Sequence, residues 1–235
     1  MIHILWPTIR PQMMIDTYDH WVKNHTSSEK FHTHVAVNNE PQKQKVEQLS
    51  GRPNCQNAWA KSGFSNFNAY VSGNKKGVTN ACHFLTHLES VDGPDKDIVI
   101  LASDDFYAPK GWDTWLLKTF SKSIEAIRVN DGYTPLDNIT IPIMTMGCLK
   151  AINRIIYHTS YTHSYSDTEL FYNLKELGFL TDKWKDSPVF EHKNWANNKR
   201  KMDEVDKDLR GALLQKDSDN WQSRSRMPAE KRMDK

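Results

Sequence analysis

The sequence predicts an α/β protein built on a mostly parallel sheet. Two observations carry that expectation. Apolar runs of strand character alternate with segments of helical period through the first 120 residues, the order that builds parallel sheets. In addition, Asp97 to Ala102 reads Asp-Ile-Val-Ile-Leu-Ala, apolar on both faces, as a strand covered on both sides must be. With 235 residues, and about 150 in an ordinary domain, the chain fits one elaborated domain.

Each element has its own signal. Ile2 to Trp6 is a short apolar run ending at Pro7 and reads as a buried strand. Pro11 suits the first turn of a helix, where its missing N–H costs nothing. Met14, Tyr18, Trp21 and Val22 continue that helix at helical spacing. His34 to Val37 is a second strand, stopped by Asn38-Asn39-Glu40-Pro41, and a helix through Lys45, Val46 and Leu49 follows. Asn68 to Val71 is a third strand, and Val78, Cys82, Leu85 and Leu88 form a helical stripe. Ser103-Asp104-Asp105 ends the Asp97 strand, and Pro109 and Gly111 mark a turn. The pattern then predicts a helix from Trp112 through Ile127 and a strand over Asn138 to Met146. A helix from Asp167 to Leu177 closes at Gly178, a common residue just past a helix end. A last helix, Arg200 to Leu214, carries Met202, Val205, Leu209 and Leu213 on one stripe. Gln215 to Lys235 has almost no apolar residue and reads as a loose polar tail.

Composition narrows the function classes. Hydrophobic residues make up 38% and charged residues 26%, which excludes collagen, a coiled-coil rod and wholesale disorder. A net charge of +2 is too balanced for a nucleic-acid footprint over the whole chain. The positive excess gathers from Lys193 onward, a solvated surface or a place to meet an anion. Three cysteines (Cys55, Cys82 and Cys148) without CxxC spacing read as free thiols of a reducing compartment. No apolar run reaches the ~18 residues of a membrane span, and the N-terminus lacks a secretory pattern. The expected location is the cytoplasm.

Four constellations can carry chemistry. Ser103-Asp104-Asp105 lies at the C-terminal end of a buried strand, where open α/β sheets bind ligands. Adjacent carboxylates there suit a hard divalent ion, Mg²⁺ or Mn²⁺, or else the N-terminus of the next helix. Pro7-Thr8-Ile9-Arg10 follows the first strand; Arg10 can grip a phosphate, or the segment is an ordinary loop. His192, in Val-Phe-Glu-His-Lys-Asn-Trp, either ligates a metal or packs. Ser166-Asp167-Thr168-Glu169 opens a helix. Asp167 can serve as a general base and Glu169 can hold a neighbour in place, while both also suit helix capping. Lys75-Lys76 beside Gly77 can reach a diphosphate or form a solvated turn. His83 and His87 are four apart on one helical face but lack a third ligand, so they read as a satisfied pair, as do His32 and His34. No GxGxxG, GxxxxGK[ST] or GxSxG motif occurs.

Taken in order, these pieces resemble GT-A glycosyltransferases, closest to the large family-2-like group. Ile-Leu-Trp-Pro-Thr-Ile-Arg resembles that group's first strand and nucleotide-binding loop, and Asn74 to Ala81 its third-strand exit. Residues 98 to 113 resemble its DxD-type segment followed by Pro and Trp. Ser166 through Gly178 resembles the acceptor-side segment whose aspartate is the usual base, and Glu191-His192 the late histidine of the metal site. The resemblance covers residues 2 to 195. It implies a Rossmann-like GT-A domain over 1–195; beyond it, periodicity and composition add a C-terminal helix at 196–214 and a flexible tail at 215–235. Departures are Ser103 in place of a first Asp, Asn38-Asn39 where an Asp often faces the base, and Cys82-His83 in place of an Arg-Asn pair. The absence of QxxRW separates the chain from processive synthases.

The resemblance implies transfer of one sugar from a nucleoside diphosphate sugar, with a UDP-sugar favoured, to an acceptor hydroxyl. Asp105 and His192 would hold Mn²⁺ or Mg²⁺. Pro7, Thr8, Arg10, Asn38, Asn39, Lys76, Gly77, Ser103 and Asp104 would line the nucleotide-sugar site. Asp167 would take the acceptor's proton, assisted by Glu169, and invert the anomeric centre; a retaining course follows if Asp167 faces elsewhere. The acceptor would be a soluble or surface glycan, or a hydroxylated base in DNA met by Trp221, Arg224, Arg226, Lys231 and Arg232. The competing expectations are a metal-dependent phosphoesterase or nuclease using Asp104, Asp105 and His192, and an inactive nucleotide-sugar-binding module.

Overall fold

A computed structural model describes residues 1–51, 64–72, 78–133, 137–193, 199–204, 207 and 212–234. The centre is a seven-stranded sheet. Its strands are β1 (Ile2–Pro7), β2 (Phe31–Val37), β3 (Phe64–Val71), β4 (Ile98–Leu101), β6 (Ala126–Arg128), β7 (Ile143–Thr145) and β8 (Leu180–Asp182), in the order β3-β2-β1-β4-β7-β6-β8. Only β7 runs antiparallel to its neighbours. A separate two-stranded ribbon pairs β5 (Phe106–Tyr107) with β9 (Glu191–His192). The helices are α1 (Pro11–Asn24), α2 (Glu40–Ser50), α3 (Val78–Thr86), α4 (Trp112–Thr119), α5 (Met146–Ala151), α6 (Ser166–Glu176), α7 (Ala212–Arg224) and α8 (Ala229–Arg232).

Strand alternation divides the core in two. Ile2, Ile4 and Trp6 of β1, with Ile98 and Ile100 of β4, pack on one face with Met14, Tyr18 and Trp21 of α1 and with Trp112. Leu5, Val99 and Leu101 point the other way, onto Cys82 and Leu85 of α3, Leu149 of α5 and Leu170 and Leu174 of α6. Both faces of the central strands are therefore covered, which is why β4 reads as a continuous apolar run. The chain leaves β1 toward β2 and later returns as β4 on β1's other side. This reversal opens a crevice at the strands' carboxyl ends, the usual ligand position in such sheets.

Most predicted elements stand close to their expected bounds. β2 and β3 start earlier, at Phe31 and Phe64, because polar residues interrupt their apolar runs. Helix α3 stops at Thr86, short of Leu88. The helix predicted through Ile127 ends at Thr119. There the Glu125 carboxylate accepts the Ser121 and Lys122 N–H groups and closes a loop, so that Ala126 enters the sheet as β6. Ile124 and Ile127 kept helical spacing by coincidence. Of the strand predicted over Asn138 to Met146, only Ile143–Thr145 pairs; Thr145 then caps α5 by accepting the Cys148 N–H. The Gly178 expectation is met: this glycine has φ +72°, the left-handed conformation that ends α6.

The C-terminus departs most from the sequence reading. Much of the helix predicted over Arg200 to Leu214, including Val205 and Leu209, lies outside the described residues. The tail predicted to be loose from Gln215 instead forms most of α7 and all of α8. Among its described residues, Ala229 and Met233 are buried apolar side chains, Trp221 stacks on Tyr172, and Asn220 donates to the Ser160 carbonyl at 2.7 Å; the remaining anchors are charged. Asp217 accepts the N–H groups of Thr162, His163 and Ser164, each at 2.8 Å. Arg224 grips Glu169, and Arg232 pairs with Glu176. A scan for apolar stripes overlooks such anchors.

Candidate functional site

The site lies where β1 and β4 end. Asp104 turns into the protein. Its Oδ1 accepts the Trp6 indole N–H at 3.0 Å and its Oδ2 accepts the Thr8 hydroxyl at 2.8 Å. The Thr17 hydroxyl also donates to the Asp104 carbonyl. Burial pushes the Asp104 carboxyl up to about 7, against the opposing effect of Thr8 and Trp6. Asp104 therefore braces the β1 exit against the β4 exit, with both oxygens engaged.

Asp105 turns the other way, to His192. The ribbon pairing sets Phe106 opposite His192 in register and stacks their rings at 4.1 Å. That brings His192 Nε2 to 3.4 Å from Asp105 Oδ2. The Lys193 N–H donates to the Asp105 carbonyl at 2.7 Å and fixes the same corner. Ser103 donates its hydroxyl to Asp105 Oδ1 at 2.6 Å, and Arg200 Nη2 lies 3.9 Å from Oδ2. Burial acts to raise the Asp105 carboxyl, but His192, Ser103 and Arg200 together hold it below the usual carboxylate range. It is ionised at neutral pH. A carboxylate oxygen and an imidazole nitrogen converging in this way fit a divalent cation. The carboxylate suits Mg²⁺ or Mn²⁺, and the nitrogen tilts the pair toward Mn²⁺ because Mg²⁺ prefers oxygen alone.

Thr8 also accepts the Arg10 N–H at 2.9 Å, which shapes the loop after β1. The Arg10 guanidinium forks onto Asp203, with Nε 2.8 Å from Oδ2 and Nη2 3.0 Å from Oδ1. Arg200 approaches the same carboxylate at 3.8 Å. Asp203 thus joins Arg10 and Arg200 beside Asp105.

The opposite wall is the turn into α6. Tyr165 takes φ +64°, a left-handed conformation that costs a side-chain-bearing residue about 1–2 kcal/mol. Asp217 clamps the three N–H groups just before it, and the Tyr165 carbonyl accepts the Glu169 N–H at 2.9 Å. Two residues on, Asp167 has its carboxyl raised by burial, against the Thr168 N–H and the fields of His163 and His192. His163 in turn feels Asp167, Asp217, Asp105 and Arg10. The charges of Asp105 and Arg10 act on His163, and that of His192 acts on Asp167, so the sheet side (Arg10, Asp105, His192) and the helix side (His163, Asp167) make up the candidate site.

Not every predicted residue lands there. Glu169 is turned away: its carboxylate accepts the Tyr161 hydroxyl at 2.8 Å and a two-pronged Arg224 at 2.9 Å per prong. It secures α7 to α6. Asn39 caps α2 by accepting the Gln42 N–H, and Asn38 donates its N–H to the Gln42 side chain at the end of β2. Pro7 is the buried last residue of β1. Lys76 and Gly77 lie outside the described residues, as does Cys55. Trp6, Thr17, His163, Arg200 and Asp203 join the site without having been predicted. The indole of Trp6 was hidden inside an apolar run, and the others carried no motif. Of the basic tail residues proposed for DNA, Arg224 and Arg232 are spent on Glu169 and Glu176, and Trp221 stacks on Tyr172.

No protein-family model and no curated protein matches the chain in sequence. Solved structures do match in shape. A mannosyltransferase from Pyrobaculum calidifontis, in complex with GDP-Man and Mn²⁺, superposes with a TM-score of 0.57 at 11% identity, over 78% of this chain and 55% of that one. TarS 1-349 of S. aureus, in complex with UDP, gives 0.56 at 12% identity, over 96% and 73%. The glycosyltransferase GlyE of Streptococcus pneumoniae, in its apo form, gives 0.50 at 11%, over 77% and 44%. The chain spans only about half the length of the mannosyltransferase. At these identities the likeness establishes the fold, which is GT-A.

Proposed function

We propose that this chain is a metal-dependent, non-processive glycosyltransferase that moves one sugar from a nucleoside diphosphate sugar to an acceptor hydroxyl. One observation carries the reading. On a GT-A fold, at the sheet's reversal point, an ionised Asp105 paired with His192 faces a wall that carries a desolvated Asp167. The structural neighbours bind GDP-Man with Mn²⁺ or UDP, and a UDP-sugar is the donor favoured here.

Asp105 and His192 would hold Mn²⁺ or Mg²⁺, which supplies positive charge to the diphosphate leaving group. Arg10 adds a bidentate cation beside it once Asp203 gives way to phosphate oxygens. Asp104 takes no part in the chemistry; it keeps the loop of Thr8 and Arg10 at the right height over β4. Asp167 accepts the acceptor hydroxyl's proton, and its raised pKa makes it a better base than an ordinary carboxylate. Attack from the face opposite the leaving group inverts the anomeric centre. Glu169, fixed to Arg224, positions the turn that carries Asp167. A glycan hydroxyl is the favoured acceptor over a DNA base, because two of the tail's basic residues already pair internally.

Asp167→Asn tests the assignment. Transfer from the accepted UDP-sugar should fall by at least about 100-fold, the usual value of a positioned base, with nucleotide affinity unchanged. Full transfer by the variant would remove Asp167 from the reaction. Hydrolysis of phosphodiesters by the wild type without any sugar donor would favour the phosphoesterase reading instead.

A further inference from the structure

Three imidazoles gather at the opposite end of the sheet, and the proposed reaction uses none of them. His3 on β1 and His32 on β2 are register partners, and His34 follows two residues later on the same face. The His3 ring lies 5.8 Å from both His32 and His34, and those two lie 6.4 Å apart. One ring nitrogen from each falls within 4.8 Å of the other two. His3 is 3% exposed and His34 1%. Among the described residues, neither ring nitrogen of His3 and not Nε2 of His34 has a hydrogen-bond partner. Buried polar atoms left so are costly, an arrangement that calls for a ligand.

The surroundings fit a cation. Asp97 Oδ2 lies 3.8 Å from His3 Nε2. Gly93 leaves the space beside them open, for a Cβ there would come within 2.5 Å of Asp97 Oδ2 and 3.8 Å of His3 Nε2. Burial lowers the pKa of all three histidines, that of His34 to about 4. They are neutral at pH 7, the form that ligates metal. His32 is only partly buried and gives solvent a route to the cluster.

We propose that His3, His32 and His34 form a second metal site, of Zn²⁺ type, with Asp97 as the carboxylate beside His3. Three imidazoles and one carboxylate are a zinc donor set, whereas Mg²⁺ and Mn²⁺ prefer oxygens such as those of Asp105. The site ties β1 to β2 at the end of the sheet away from the reaction. It is a structural site, independent of whether the chain transfers sugar.

The test uses the full chain, stripped with a chelator and titrated with Co²⁺ and then Zn²⁺. Asp105→Ala, which lacks the other candidate cation site, should bind one equivalent of Zn²⁺, lose the Co²⁺ visible absorption as zinc displaces it, and melt at higher temperature with zinc; wild type should show the same zinc-dependent shift. His32→Ala should bind Zn²⁺ at least about 100-fold more weakly, the upper end of what even an outer-shell change costs, and lose the zinc-dependent shift. His32→Gln, closer in size and polarity, gives the same reading should the alanine variant fail to fold. Wild type that takes up no stoichiometric zinc, or His32 variants that bind it as wild type does, would overturn the proposal.

Discussion

The two walls of the site are held by different means. On the sheet wall, Trp6 and Thr8 reach Asp104 because β1 and β4 are register neighbours, and the ribbon register delivers His192 to Asp105. Backbone pairing does the positioning, and side chains add the last contacts. On the helix wall, among the described residues, no strand pairs with the turn before Asp167. Charged side chains of α7 hold it, Asp217 through three N–H groups and Arg224 through Glu169. A site can thus be held on one side through its sheet and on the other through the charged side chains of a peripheral helix.

The comparison can be broken most forcefully at Arg224. Arg224→Ala leaves the buried Glu169 carboxylate unpaired, which typically costs about 3–5 kcal/mol. Denaturant unfolding should show that loss. The folded variant should transfer sugar poorly yet bind nucleotide as wild type does. Equal damage to both activities would mean that the walls are not separately held.

A smaller loss is expected on the sheet wall. Thr8→Val removes the hydroxyl donor to Asp104 Oδ2, at a cost of about 1–3 kcal/mol. The sheet itself should survive, and if the Thr8–Arg10 loop carries the nucleotide as proposed, nucleotide affinity should weaken more than stability does. Stability unchanged within experimental error would show that Asp104 is braced by Trp6 alone.

The smallest effect sharpens the contrast. Asp113 is the sheet half's counterpart of Asp217: it accepts the Thr26 N–H at 3.0 Å and the Ser27 N–H at 2.6 Å. Burial acts to raise its carboxyl, but these donors and His25 outweigh it and hold the carboxyl below its ordinary value. A depressed carboxylate contributes stability above its unfolded-state pKa and loses it as pH falls through the folded-state value. The stability gap between wild type and Asp113→Asn should therefore be full at neutral pH and close as pH falls below 3.8, the ordinary aspartate value. A gap independent of pH would mean that the charge on Asp113 contributes nothing.

How much of this could be read from the sequence follows the same division. The sheet wall was legible because its residues stand in contiguous strand-and-exit motifs: Ile2 through Arg10, Asp97 through Asp105, and the late Glu191-His192. What the sequence hid there was direction. Adjacent aspartates face opposite ways at the end of β4, so Asp104 became a brace and Asp105 the candidate ligand. On the helix wall Asp167 was legible as a residue opening a helix, but the means of holding it were not. Asp217, Arg224 and Arg232 sit in a polar segment that resembles a loose tail because charge pairing leaves no periodic trace. His3 escaped notice because it lies inside the first apolar run, and His32 and His34 were set aside because their third partner is on another strand.

The central claim is that Asp105 and His192 form the cation-dependent half of a nucleotide-sugar site. Calorimetry with a panel of nucleoside diphosphates, with and without Mn²⁺, on wild type and Asp105→Ala, tests it most directly. The account predicts tight, Mn²⁺-dependent binding of one nucleotide, UDP first among them, and its loss in the variant. Absence of binding to every nucleotide in both conditions, or binding indifferent to Mn²⁺ and to Asp105, would contradict it.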